Sequence, residues 1–114
     1  MLAASDVVVA AVHRPTRRLV GFARVLTDET FVALILDVIV ALDWRHRRVG
    51  SLVIDFVVHH PLLANVESIE LVCQPHVMPF YRRWGFTDGV GASRLMRRTS
   101  NPALLGLGTA PPVP

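Results

Sequence analysis

Two short stretches of the chain carry residue types that could do chemistry together. The first runs Asp37-Val38-Ile39-Val40-Ala41-Leu42-Asp43-Trp44-Arg45-His46-Arg47-Arg48-Val49-Gly50-Ser51. An apolar strand ends there, a basic loop follows, and a helix begins. The first N–H groups of a helix lack internal partners and sit at the positive end of its dipole. Such an end holds phosphate, and Arg45, His46, Arg47 and Arg48 add cationic donors beside it. Gly50 lets the backbone approach a ligand or a neighbouring strand. The residues alone leave two readings open: an anion site, or a solvated basic loop that opens an ordinary helix.

The second stretch runs Cys73-Gln74-Pro75-His76-Val77-Met78-Pro79-Phe80-Tyr81-Arg82-Arg83-Trp84-Gly85-Phe86. Tyr81 falls in a short helix after a strand, and its phenol is a hydrogen-bond donor at neutral pH. It is either such a donor in a cleft or a half-buried aromatic with a solvated hydroxyl. Phe80, Trp84 and Phe86 read as core. Asp37 is the single charge in an apolar strand, and a buried carboxylate must be paired or border a cleft. It either handles the proton of a substrate or bonds a neighbouring loop. Glu70 and His76 are weaker candidates at the same sheet end. His59 and His60 read as a helix terminus, and Cys73 as a small core residue.

The elements that must position these residues follow from hydrophobic period. Strands are expected at Asp6 to Val12, Leu19 to Leu26 and Phe31 to Val40, joined by short turns as an antiparallel meander. The near-continuous Val, Ile and Leu content of the third implies cover on both faces. From Val49 the period lengthens, and Leu52, Val53, Phe56 and Val57 mark a helix stripe ended at Pro61. A fourth strand is expected at Ser68 to Cys73. A short helix follows from Pro79 to about Trp84, with Gly85 as its stop. Leu95 and Met96 suggest a weak last strand. The order β-β-β-α-β-α predicts one parallel right-handed crossover in a mostly antiparallel, mixed α/β (α+β) sheet. Ligands favour the crevice at the carboxyl ends of parallel strands.

Composition bounds the rest. The chain has 114 residues, enough for one domain, and 52% hydrophobic against 18% charged residues exclude a disordered chain. Residues 1–98 are expected to form that domain and residues 99–114, with four of the eight prolines, a flexible tail. One cysteine excludes an internal disulfide or a multi-cysteine zinc site, and no metal is expected. All 12 basic residues are arginine, which excludes a catalytic lysine. The longest apolar run, Phe31 to Leu42, is too short to span a bilayer. A cytoplasmic, reducing-compartment protein with no membrane partner is expected. Net charge is +3, so an anionic partner suits the chain. Aromatics do not interleave with the arginines as a nucleic-acid platform needs.

At this point the motifs resemble a family. Arg45-His46-Arg47-Arg48-Val49-Gly50 is similar to the Arg/Gln-x-x-Gly-x-Gly/Ala loop of the GNAT superfamily of acetyl-CoA-dependent N-acetyltransferases. Asp37-Val38-Ile39-Val40 resembles that family's Asp-Val-x-Val strand. Tyr81-Arg82-Arg83-Trp84-Gly85-Phe86 resembles its Tyr-x-x-x-Gly-Phe, and Val20 to Val25 its third strand. The resemblance covers roughly Val7 to Asp88.

The resemblance implies a division of labour. The backbone of Val38, Ile39 and Val40 would bond the pantetheine arm of acetyl-CoA. The N–H groups from Arg45 through His46, Arg47, Arg48, Val49 and Gly50 to Ser51 would cradle the pyrophosphate. A primary amine would attack the acetyl carbonyl directly, with Tyr81 at the departing sulfur and Asp37 toward the amine. Two departures stand out. Arg48 occupies a position where the family's loop usually has glycine. The family also has a strand and two helices before the point where this chain starts, and those helices wall the amine site. The start is then truncated, or the pocket is open or completed by a second subunit. An uncovered sheet edge at Val7 to Val12 favours a homodimer. The alternatives are a non-catalytic CoA-binding or interaction domain and, more weakly, a nucleic-acid-binding domain.

Overall fold

A computed structural model describes residues 6–106. Four strands form one sheet: β1 (Val7–His13), β2 (Arg18–Thr27), β3 (Val32–Val40) and β4 (Ser68–Leu71), in the order β1-β2-β3-β4. β1–β2 and β2–β3 are antiparallel, and β3–β4 is parallel. The crossover is α1 (Val49–Val58), and α2 (Met78–Arg82) follows β4. The expected element order and the single parallel pairing are both present.

The turns have local causes. Asp28 Oδ1 accepts from the N–H groups of Thr30, Phe31 and Val32, which closes the β2–β3 connection. Those three donors hold the Asp28 carboxyl below its ordinary value. Pro79 sits in the first turn of α2, and Gly85, at φ +86°, ends the turn after it.

The core lies between one face of the sheet and α1. Val49, Val53 and Val57 pack with Val20, Ala23, Val25, Ala33 and Ile35, and Ile54 is also fully buried. Each fully buried Val or Ile contributes about 1.5–3 kcal/mol relative to exposure. Gly21 makes this approach possible. A Cβ there would lie 2.7 Å from Val49 Cγ1.

Four expectations need correction. The helix stripe is shifted: Val49, Val53 and Val57 are buried as expected, but Leu52 and Phe56 are exposed and Ile54 is buried instead. Leu52, Ile54 and Phe56 are all apolar, so the period alone does not choose between them. β3 is covered on one face only, since Leu34, Leu36 and Ile39 are exposed while Ala33 and Ile35 are buried. Among the described residues no helix lies over the second face. Leu95 and Met96 form no strand and are largely exposed. Arginines flank that pair, and Arg97 Nη1 instead bonds Leu104 O at 2.7 Å. β4 also stops at Leu71, two residues before the expected Cys73. Of the expected tail, residues 99–106 include a short 3-10 turn at Pro102–Leu104, and residues 107–114 lie outside the described residues.

Candidate active site

β3 and β4 pair only from Val32↔Ser68 to Ile35↔Leu71. Beyond that point β3 continues to Val40, with no strand partner on the β4 side among the described residues. The parting begins at a bulge. Arg24 opposes Asp37 and Val25 opposes Ile35, so Leu36 is an extra residue on β3. A bulge bends its strand and redirects the groups that follow. The result is a cleft of about 690 Å³ at the carboxyl end of the parallel pair.

Val38, Ile39 and Val40 line one wall of this cleft. Trp44, Arg45, His46 and Arg48 line it from the loop, and Val49, Gly50 and Ser51 from the first turn of α1. Val77, Phe80, Tyr81 and Arg83 close the opposite side. Nine of the ten residues expected to hold the cofactor therefore meet in one cleft. The tenth, Arg47, does not line it, because its guanidinium lies over the Trp44 ring at 5.0 Å.

The loop is held in shape from outside the cleft. Arg18 of β2 donates both Nη groups to the Asp43 carboxylate at 2.6 Å each. Trp44 packs on His13 with ring centroids 4.8 Å apart. Arg45 Nε donates to Val40 O at 3.3 Å. His46 and Arg48 both have left-handed backbones, at φ +65° and +64°. These two residues lead the chain into the first turn of α1, whose residues Val49, Gly50 and Ser51 line the cleft and whose first N–H groups have no partner within the helix. Arg48 is the N-cap residue and forms no side-chain cap, which leaves its guanidinium uncommitted to the helix. The chain thus adopts at Arg48 the backbone that glycine favours, and carries a cation there.

Of the four lining residues that the sequence reading missed, Trp44, Val77, Phe80 and Arg83, the charged one is Arg83. Its Nη2 donates to Ser51 Oγ, and its guanidinium lies 4.9 Å from the Phe80 ring and 4.7 Å from the Trp84 ring. It adds a cation from the C-terminal cap of α2 to the helix-start end of the cleft. Its position two residues after Tyr81, between Phe80 and Trp84, is the signal that could have found it. Phe80 in turn packs against Gly50, where a Cβ would meet Phe80 Cζ at 3.4 Å.

Tyr81 stands toward the β4 side, half-buried, its ring edge-on to Phe80 and Phe86. Burial, and secondarily the neighbouring Cys73, push its phenol above the ordinary value of 10.0. It is therefore a protonated donor at neutral pH. Asp37 is not in the lining. Its carboxylate is paired with Arg24, the residue directly opposite on β2. Glu70 accepts from Ser68 Oγ, and His76 is exposed in the turn before α2; neither lines the cleft. No cluster of side chains among the described residues could hold a metal ion.

A family model described as an acetyltransferase (GNAT) domain matches residues 3–88, which include every strand and both helices. The chain belongs to the GNAT acetyltransferase family. This GNAT chain is 33% identical over 91 residues to an uncharacterized N-acetyltransferase of Porphyra purpurea, covering 75% of this chain and 52% of that protein. It is 30% identical over 100 residues to a chloroplastic GCN5-related N-acetyltransferase of Arabidopsis thaliana, covering 85% of this chain and 51% of that protein. The GNAT chain thus spans about half the length of these curated relatives. Among solved structures, it superposes on a protein of Xanthomonas campestris ascribed to the same family with a TM-score of 0.67 and 33% identity, over 76% of this chain and 60% of the other.

Proposed function

We propose that this GNAT domain transfers an acetyl group from acetyl-CoA to a primary amine by direct attack. The observation that carries the reading is a cleft that joins the first turn of α1 and three arginines at one end to a protonated Tyr81 on its β4 side. The diphosphate of CoA suits the helix start of α1, with Arg45, Arg48 and Arg83 as charge partners. The pantetheine arm suits the unpaired edge of Val38 to Val40, which would bond it as a further strand.

In the proposed step the amine nitrogen forms a bond to the acetyl carbonyl carbon, and the carbon–sulfur bond breaks. The electron pair leaves with sulfur as the thiolate of CoA. Tyr81 donates a hydrogen bond to that sulfur. A phenol above its ordinary value is a weaker acid than a thiol near 8.5, so Tyr81 stabilises the thiolate rather than transferring its proton outright. Water takes the proton lost by the amine. Arg24 engages Asp37 outside the cleft lining, so no step is assigned to Asp37. The lone Cys73 fits a cytoplasmic setting.

Acetyl transfer is measured as thiol release from acetyl-CoA against a panel of polyamines, aminoglycosides, amino acids and lysine peptides. Release that depends on one amine class supports the reading. CoA binding with no release from any amine replaces it with the non-catalytic alternative, which the lack of a carboxylate in the cleft lining would favour.

A further inference from the structure

α2 carries Tyr81, yet none of its five residues is buried. A helix this short does not hold itself in water, where even about 12 residues are marginal. Backbone bonds from Arg83, Trp84 and Gly85 to Phe80, Tyr81 and Arg82 continue its turn. Phe80, Arg83 and Trp84 are spaced i, i+3 and i+4, so they share one face. That face meets α1 at three points. Phe80 packs against Gly50, Arg83 donates to Ser51 Oγ, and Trp84 Nε1 donates to Asp55 Oδ1 at 3.3 Å. Ser51 and Asp55 are one turn apart, so they share a face of α1. Ser51, Arg83 and Tyr81 line the cleft; Asp55 and Trp84 do not. Trp84 is the hub of this seam. Its ring centroid lies 5.0 Å from that of Phe80 and 4.7 Å from the Arg83 guanidinium, and its N–H donates to Tyr81 O at 3.0 Å.

We propose that Trp84, held by Asp55, is a positioning residue for Tyr81: it seats α2 on α1 so that the phenol stands at the departing sulfur. The inference rests on the acetyl-transfer reading, and Trp84 and Asp55 themselves touch no reacting group. A donor displaced by about 1 Å loses much of its effect on rate. The diphosphate end of the cleft is built by α1 and the loop before it, so a loosened seam spares it. The cost of losing the Trp84–Asp55 bond therefore falls on turnover and not on cofactor affinity.

Four variants and two readouts test this. Trp84→Phe keeps a ring beside Arg83 and removes the donor. Asp55→Ala removes the acceptor, and Asp55→Asn keeps an acceptor oxygen. Asp55 also faces His59 Nδ1 at 3.6 Å, a contact that Trp84→Phe leaves alone. In Trp84→Phe and Asp55→Ala, kcat should fall about three- to tenfold, with the KM for acetyl-CoA unchanged within about twofold. Asp55→Asn should stay within about twofold of wild type. Combined with Tyr81→Phe, Trp84→Phe should cost nothing further, because the seam acts through the phenol. Tyr81 is the chain's only tyrosine, so phenolate absorbance against pH reads it alone. Burial raises its midpoint, which should move down towards the ordinary 10.0 in Trp84→Phe and Asp55→Ala. That titration needs no turnover. A wild type that transfers acetyl to no amine ends the acetyl-transfer reading, and the absorbance alone then decides the seam. A midpoint unmoved in both variants overturns the proposal. So does wild-type kcat in Trp84→Phe, or a loss that adds to that of Tyr81→Phe.

Discussion

Arg18 and Asp43, 25 residues apart, are joined by two 2.6 Å hydrogen bonds that tie the start of β2 to the loop before α1. The pair is exposed, so it adds little to global stability. Its effect is on the shape of the loop. Asp43→Asn should raise the KM for acetyl-CoA roughly three- to tenfold and leave kcat nearly unchanged. The Arg18 guanidinium holds the Asp43 carboxyl below its ordinary 3.8. The contact is thus complete above that pH and is lost as pH falls through the depressed value. Acetyl-CoA affinity measured against pH should show that loss in wild type and not in the variant.

Arg48 sits at φ +64°, where a Cβ costs about 1 kcal/mol. Arg48→Gly should therefore raise Tm by about 2–5 °C. The same change removes a cation from the cleft, so acetyl-CoA should bind at least about threefold more weakly. Calorimetry and titration on one variant separate the two effects. A variant that binds as tightly as wild type removes the guanidinium from the phosphate site.

Gly21→Ala places a methyl group 2.7 Å from Val49 Cγ1. Overpacking of this kind costs about 1–3 kcal/mol. The first turn of α1 must move, and the amides at the cleft mouth move with it. Lower Tm and weaker acetyl-CoA binding are expected together, read by thermal melts with and without ligand.

Tyr81→Phe keeps the ring and removes the donor. Turnover should fall about 10- to 100-fold, with acetyl-CoA affinity unchanged within about twofold. Burial raises the phenol above 10.0, so the protonated form persists to higher pH than for a free tyrosine. Wild-type kcat should show no tyrosine-linked loss below about pH 10. Equal kcat in the variant would take Tyr81 out of the mechanism.

Most of the scaffold was legible because it rests on period and punctuation. Asp6 to Val12, Leu19 to Leu26 and Ser68 to Cys73 read as strands and match β1, β2 and β4 to within two residues at each end, and Pro61, Pro79 and Gly85 mark real ends. The cleft residues were legible as a run, since Val38 to Ser51 is one strand–loop–helix unit. What the sequence hid is tertiary. Leu34 and Leu36 are as apolar as Ala33 and Ile35, and only the position of α1 decides which are buried. Asp37 looked like a lone charge because its partner Arg24 is 13 residues away on another strand. Arg83 looked like one more surface cation until α2 was laid against Ser51.

The most direct test of the account is an isothermal titration of the protein with acetyl-CoA, repeated with acetyl-pantetheine, which lacks the diphosphate. The account predicts saturable one-to-one binding with Kd of about 1–100 μM, at least tenfold weaker for acetyl-pantetheine. No saturable heat with acetyl-CoA at about 1 mM, or equal binding of the two ligands, would contradict it.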